Sequence, residues 1–124
     1  MRLFDYKAFA HVLNGKNGVT SGNMTAEDLE AYKYTYAKGG FTAPINYYRA
    51  FFRVLPPEPS KKINKPVLII WGSPDCCLED ELAILSKDYC SNCSVKFIRN
   101  SSHFVQIHNP EEVNELMREF LNND

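Results

Sequence analysis

An aspartate and a histidine recur at matching offsets along this chain. Asp75 lies four residues beyond an apolar run that ends at Trp71, and His103 lies four residues beyond a second run that ends at Arg99. A carboxylate that reaches an imidazole fixes its tautomer and stabilises its charged form, which is the acid–base half of a nucleophilic triad. Taken singly, each residue has a plainer reading. An aspartate leaving a strand is commonly a turn or cap residue, and a histidine after a strand is commonly structural or solvated. The conjunction of residue types at the same ends of consecutive strands sets the chemical reading beside the plainer one. His11 and His108 have no such partner and read as surface or packing residues.

Positioning these two side chains requires particular elements. Pro66-Val67-Leu68-Ile69-Ile70-Trp71 is apolar on both alternating sets, as a strand covered on two faces of a parallel sheet would be. Gly72 to Asp75 reads as a turn. Leu78, Leu82 and Leu85 then mark an amphipathic helix to about Tyr89. Ser94-Val95-Lys96-Phe97-Ile98-Arg99 reads as a second strand, with a turn over residues 100–103. Asn109-Pro110-Glu111-Glu112 is a helix start with a cap, a proline at the first position and acids in the first turn. Val113, Leu116, Met117, Phe120 and Leu121 give that helix a broad apolar stripe. Strand, helix, strand, helix implies a parallel pair with a crossover, and sites in open parallel sheets form at the strands' carboxyl ends. Asp75 and His103 would then share one edge.

Before this α/β portion the chain reads as helical and aromatic. Residues 4–13 are a possible helix, ended by the Gly15–Gly18 stretch. Thr25-Ala-Glu-Asp28 resembles a capping box, followed by Leu29, Tyr32 and Tyr36 at helical spacing and by Gly39-Gly40 as a stop. A further helix starts near Pro44 and carries Ile45, Tyr48, Arg49 and Phe52 on one face. Pro56, Pro57 and Pro59 break it. The expected organisation is residues 1–55 as one helical unit, 56–65 as a Pro-rich linker and 66–124 as the α/β unit.

Composition narrows the function. The chain has 124 residues, 44% of them apolar, and a formal net charge of −1. That charge gives no footprint for nucleic acid. No membrane-spanning or signal segment is expected, since the longest strongly apolar run is Val67 to Trp71. Cys76, Cys77, Cys90 and Cys93 are too sparse for a disulfide framework and read as thiols in a reducing compartment. Cys90-Ser-Asn-Cys93 has the spacing of a redox or metal motif, but it lacks a second half and does not open a helix. No cofactor and no metal are expected.

Several stretches carry a resemblance. Trp71-Gly-Ser-Pro-Asp75, Ser102-His103-Phe104 and the helix opening at Asn109-Pro110 resemble the C-terminal end of α/β-hydrolase fold enzymes. Phe41-Thr-Ala-Pro44-Ile45-Asn46-Tyr47-Tyr48-Arg49 is similar to the end of the helical cap domain of the epoxide hydrolases, and the animal membrane-anchored subgroup is the most similar. The resemblance implies an α/β fold: the last parallel strands and helices of the hydrolase core, after the end of a cap (residues 1–55). It implies Asp75 as triad acid, His103 as general base and Tyr48 as proton donor to the epoxide oxygen. The substrate would be a small apolar epoxide, opened to a vicinal diol through an aspartyl ester. The nucleophile motif, the oxyanion-hole loop and a first cap tyrosine would belong to a missing N-terminal half of the fold. Alone, the chain would be inactive. The implied setting is the cytoplasm or the cytoplasmic face of a membrane, with any anchor upstream. Without the resemblance, Tyr48 reads better as a packed aromatic beside Tyr47, Phe51 and Phe52. The sequence departs from the family at Phe104, where a tryptophan is frequent, at Cys76-Cys77, where bulkier residues are usual, and at His108, where an acid is common. The rival readings are dehalogenase or esterase chemistry on the same fold, and a non-catalytic binding protein that keeps it.

Overall fold

The computed structural model describes residues 7–14, 18–53 and 61–122. Three helices come first: α1 (Lys7–Asn14), α2 (Ala26–Gly39) and α3 (Thr42–Arg53). The stretch from Gly15 to Asn17 and the prolines Pro56, Pro57 and Pro59 lie outside the described residues. The α2 boundaries follow directly from side-chain chemistry. Thr25 Oγ1 accepts from the Asp28 N–H at 3.1 Å while Asp28 accepts from the Thr25 N–H at 2.9 Å, a reciprocal capping box. Gly40, at φ 71°, ends the helix in a conformation that costs a residue without a Cβ little.

The second portion is β1 (Ile63–Ser73), α4 (Glu81–Leu85), a 3₁₀ turn (Ser86–Tyr89), β2 (Cys90–Arg99), α5 (Val105–His108) and α6 (Pro110–Asn122). The strands pair in parallel, with Leu68 opposite Ser94, Trp71 opposite Phe97 and Ser73 opposite Arg99. The sequence reading is correct in order and direction and differs in five details, the first being that β1 runs on through Gly72 and Ser73, half of the stretch read as a turn. Both strands begin earlier, β1 at Ile63, inside the stretch read as linker, and β2 at Cys90. The α4 helix starts at Glu81 rather than near Leu78. The one-turn α5 was not anticipated. Asn109 does not cap α6 with its side chain: its Oδ1 is buried without a partner, and only its backbone carbonyl is used, accepting the Val113 N–H at 3.1 Å.

Apolar burial is modest and falls in two places. Leu13, Val19 and Met24 are buried together, with Leu29, Tyr32, Phe104 and Ile107 packed on them. This cluster joins α1 and α2 to the turn and helix that follow β2. Asn23 reinforces the join by donating from Nδ2 to the Ile107 carbonyl at 3.0 Å and the His108 carbonyl at 3.2 Å. Ala83, Ile98 and Val113 are buried around the sheet, where α5 and α6 pack on β1. By contrast α3 buries none of its residues, and Tyr47, Tyr48, Phe51 and Phe52 are all exposed. Large apolar side chains on the sheet portion, among them Ile63, Phe97, Leu85 and Leu121, are exposed as well. Among the described residues no helix is long and apolar enough to cross a membrane.

Candidate active site

Parallel pairing brings the carboxyl ends of β1 and β2 to one edge, and the two turns leaving them meet there. Gly72 makes the meeting possible. A Cβ added to it would overlap the carbonyl oxygen of Ser102, so only glycine lets the His103 turn lie on the end of β1. Asn100 turns the chain out of β2 at φ 56°, a left-handed conformation that asparagine tolerates better than most residues. The Ser73–Pro74 peptide is cis.

At this edge Asp75 Oδ2 lies 2.8 Å from His103 Nδ1. The Asp75 side chain is 6% exposed and the His103 side chain 34%. The other carboxylate oxygen, Oδ1, accepts the backbone N–H groups of Cys77 at 2.7 Å and Leu78 at 3.2 Å. Burial by itself would raise the Asp75 carboxyl. The Cys77 N–H, His103 and the Leu78 N–H outweigh it and hold the carboxyl below its ordinary value. Asp75 is thus both the turn residue of the plainer reading and the imidazole's partner, one oxygen serving each purpose.

Sequence reasoning passed over Asp80. Its Oδ1 accepts from the Trp71 indole N–H at 3.0 Å and its Oδ2 from the Ser73 hydroxyl at 2.5 Å. It therefore ties the end of β1 to the start of α4 across the turn that carries Asp75. The signal was weak: one acid among Glu79, Asp80 and Glu81, distinguishable only once the strand end is known to face it.

The His103 ring lines a cavity of about 600 Å³ with Tyr48, His11, Val12, Phe104 and the cysteines that follow Asp75. Tyr48 is 66% exposed, with Tyr47 edge-on to it at 5.9 Å, so it is not a core aromatic. Phe104 stands edge-on to His103 at 5.3 Å. His11, read as a surface or packing residue, is exposed and also borders this cavity. The Cys76 and Cys77 sulfurs lie 3.4 Å apart, and the Cys77 thiol is pushed up to about 11, first by its hydrogen bond with Cys76 and then by burial and nearby negative charge. Cys90 and Cys93 lie along β2 and are remote from any helix opening, and none of the four cysteines is in a disulfide.

A second concavity of about 360 Å³ lies on the Ser101–Ser102 side of Asp75, bordered by Thr20 and His108. His108 is half-buried, in keeping with the packing alternative, with Nε2 3.4 Å from the Thr20 hydroxyl. Among the described residues, Ser101 Oγ, Ser102 Oγ and His108 Nδ1 are buried there without a hydrogen-bond partner.

A parallel strand pair with a carboxylate and an imidazole joined at its carboxyl edge, beneath preceding helices, is the end of an α/β-hydrolase fold. A single-site variant of an epoxide hydrolase from Bacillus megaterium superposes with a TM-score of 0.84 at 31% identity, covering 98% of this chain and 46% of that one. The chain is 44% identical over 107 residues to Epoxide hydrolase 2 of Caenorhabditis elegans, across 84% of this chain and 30% of that protein. It is 34% identical over 122 residues to Epoxide hydrolase 4 of Mus musculus, across 94% of this chain and 34% of that protein. No family model matches it. The chain belongs to the epoxide hydrolase family, and it spans a quarter to a third of the length of the curated relatives it matches first.

Proposed function

We propose that the chain carries the acid–base half of an epoxide hydrolase active site, with Asp75 as the acid, His103 as the base and Tyr48 as the proton donor. The observation that carries the reading is the 2.8 Å pairing of Asp75 Oδ2 with His103 Nδ1, on a ring that borders the same cavity as Tyr48. Residues 1–55 would be the end of the cap, and the end of the hydrolase core would begin with β1 at Ile63, after a shorter linker than the sequence suggests.

In this reading an aspartate from the preceding part of the fold attacks an epoxide carbon. The carbon–oxygen bond breaks, and Tyr48 gives its phenolic proton to the departing alkoxide, a poor leaving group otherwise. An aspartyl ester results. With Nδ1 engaged by Asp75, Nε2 is the ring nitrogen that takes a proton from water. The hydroxide formed attacks the ester carbonyl, the imidazolium that Asp75 stabilises gives its proton to the departing diol oxygen, and the acid proton left on the regenerated aspartate restores the Tyr48 phenol.

The need for a further part of the fold is supported by the surface. Both outer edges of the two-stranded sheet lack a strand neighbour among the described residues, and parallel sheets are ordinarily covered. The orphaned Ser101, Ser102 and His108 atoms point the same way, since buried polar groups are costly without partners.

The test uses a protein in which this chain is joined to the preceding half of the fold. An ionised carboxylate nucleophile needs no base to attack, so His103→Gln is expected to form the ester and fail to hydrolyse it. Intact-mass spectrometry after mixing with an epoxide should show an adduct on nearly every molecule. Normal turnover removes His103 from the role of base. A dead protein with no adduct places the block before ester hydrolysis and overturns the two-step scheme.

A further inference from the structure

Substrate chemistry accounts for Asp75 and His103, but it leaves the cysteine beside them unused. Ligand atoms of Asp75, Cys77 and His103 all lie within 4.8 Å of one another. Thiolate, imidazole and carboxylate are the three ligand types a zinc-like ion takes. We propose that Cys77, His103 and Asp75 form a site for a thiophilic divalent cation of the zinc or cadmium type, and that its occupancy removes the imidazole from catalysis.

The geometry needs little adjustment. Tetrahedral zinc with bonds of about 2.1 Å to nitrogen and oxygen and about 2.3 Å to sulfur holds its ligand atoms roughly 3.4–3.6 Å apart. His103 Nδ1 and Asp75 Oδ2, now at 2.8 Å, open slightly to admit the ion between them. Cys77 closes in by about an ångström, which its exposed side chain can do by rotation. The carboxylate keeps its Oδ1 bonds to the Cys77 and Leu78 amides, which hold it in place. Cys76, its sulfur 3.4 Å from that of Cys77, stands next in line as a fourth ligand, with water the other choice. Binding exchanges the Cys77 thiol proton for the metal–sulfur bond, and that proton leaves to solvent. A thiol as hard to ionise as this one makes a weaker site than a dedicated structural zinc centre. An ion seated here takes Nδ1 and shifts the neutral ring's proton to Nε2, the nitrogen that would otherwise accept a proton from water at the edge of the cavity shared with Tyr48. It would therefore act as a reversible inhibitor.

The chain is titrated with Cd²⁺ while the ultraviolet sulfur-to-cadmium charge-transfer band is followed. One equivalent is expected to raise the band in the native chain and in a Cys90→Ser/Cys93→Ser double variant. Cys77→Ser and His103→Gln are each expected to weaken binding ~10-fold or more, with the circular dichroism of the chain unchanged. In the native chain, which needs no substitution, Zn²⁺ is expected to move the His103 ring resonances and leave those of His108 in place. A band that survives Cys77→Ser and vanishes in the double variant puts the ion on β2 and overturns the proposal. So does cadmium binding that is lost in Cys77→Ser and unaffected by His103→Gln, which would be a plain dithiol. Static His103 resonances at saturating Zn²⁺ overturn it too. None of these measurements reads turnover, so their failure leaves the role of His103 as base untouched.

Discussion

The carbonyl oxygen of Ser102 lies against the bare α-carbon of Gly72, with no room for a methyl group between them. This contact sets how closely the turn bearing His103 approaches the strand that leads to Asp75. The Asp75–His103 pair thus depends on an atom that is not there, one residue beyond the tryptophan and three before the aspartate.

Gly72→Ala is expected to push the two turns apart. Overpacking of this kind costs ~1–3 kcal/mol, and here the displaced atoms are backbone, which cannot rotate away. Urea unfolding should register the loss. In the native chain the 2.8 Å Asp75–His103 hydrogen bond should give a low-field Nδ1 proton resonance, expected to shift or vanish in the variant. A variant of native stability with that resonance unmoved would show that the contact sets nothing.

Asp80 should matter for the shape of the Asp75 turn. In Asp80→Ala the Trp71 N–H and Ser73 hydroxyl lose their acceptor, and each part-buried donor left without one costs about 1–3 kcal/mol. The turn between them would loosen. Faster hydrogen exchange at the Cys77 and Leu78 amides, which Asp75 holds, is the expected readout. Unchanged exchange there would confine Asp80 to local stability.

Asp75 has a pH signature of known sign. Its carboxyl lies below its ordinary value in the folded chain, so the unfolded chain takes up its proton first as pH falls. The stabilisation is complete above the ordinary carboxylate value of about 3.9 and is lost as pH drops through the lower folded value. The stability gap between the native chain and Asp75→Asn should therefore be widest near neutrality and shrink below about pH 4. A gap independent of pH would mean that the hydrogen bonds do not favour the charged form.

Tyr48→Phe separates chemistry from packing. The side chain is exposed, so loss of the hydroxyl should leave stability unchanged. In the joined protein, single-turnover alkylation by an epoxide should slow by ~10²–10⁴-fold if Tyr48 is the proton donor, less if a second tyrosine shares the task. An unchanged rate would return Tyr48 to the surface aromatics of α3.

Much of this architecture was legible because its signals are local and strong. Apolar runs gave the strands, and Thr25, Asp28 and Gly40 gave α2. The equal offsets of Asp75 and His103 from two parallel strands placed them on one edge. What escaped had local signals that were absent or misleading. The strand starts, Ile63-Asn64-Lys65 and Cys90-Ser91-Asn92, show no apolar alternation, and it is their pairing, Ile63 with Cys90 and Pro66 with Asn92, that makes them strand. The α5 helix is one turn long, too short for a period to appear. Leu78 shares the spacing of Leu82 and Leu85, yet it belongs to the turn that Asp75 holds, and α4 begins only at Glu81. The importance of Gly72 and Asp80 likewise appears only when distant residues are brought beside them.

Trp71 is the only tryptophan in the chain, and its indole N–H is held by Asp80 at the mouth of the turn that carries the acid. The chain therefore contains one indole, which can be excited apart from its seven tyrosines, positioned where the strand hands over to the site. Its emission wavelength and quenching report on that junction without any label. Metal titration, acidification and the approach of a partner segment can all be followed in the same optical signal, from a residue that takes no part in the chemistry.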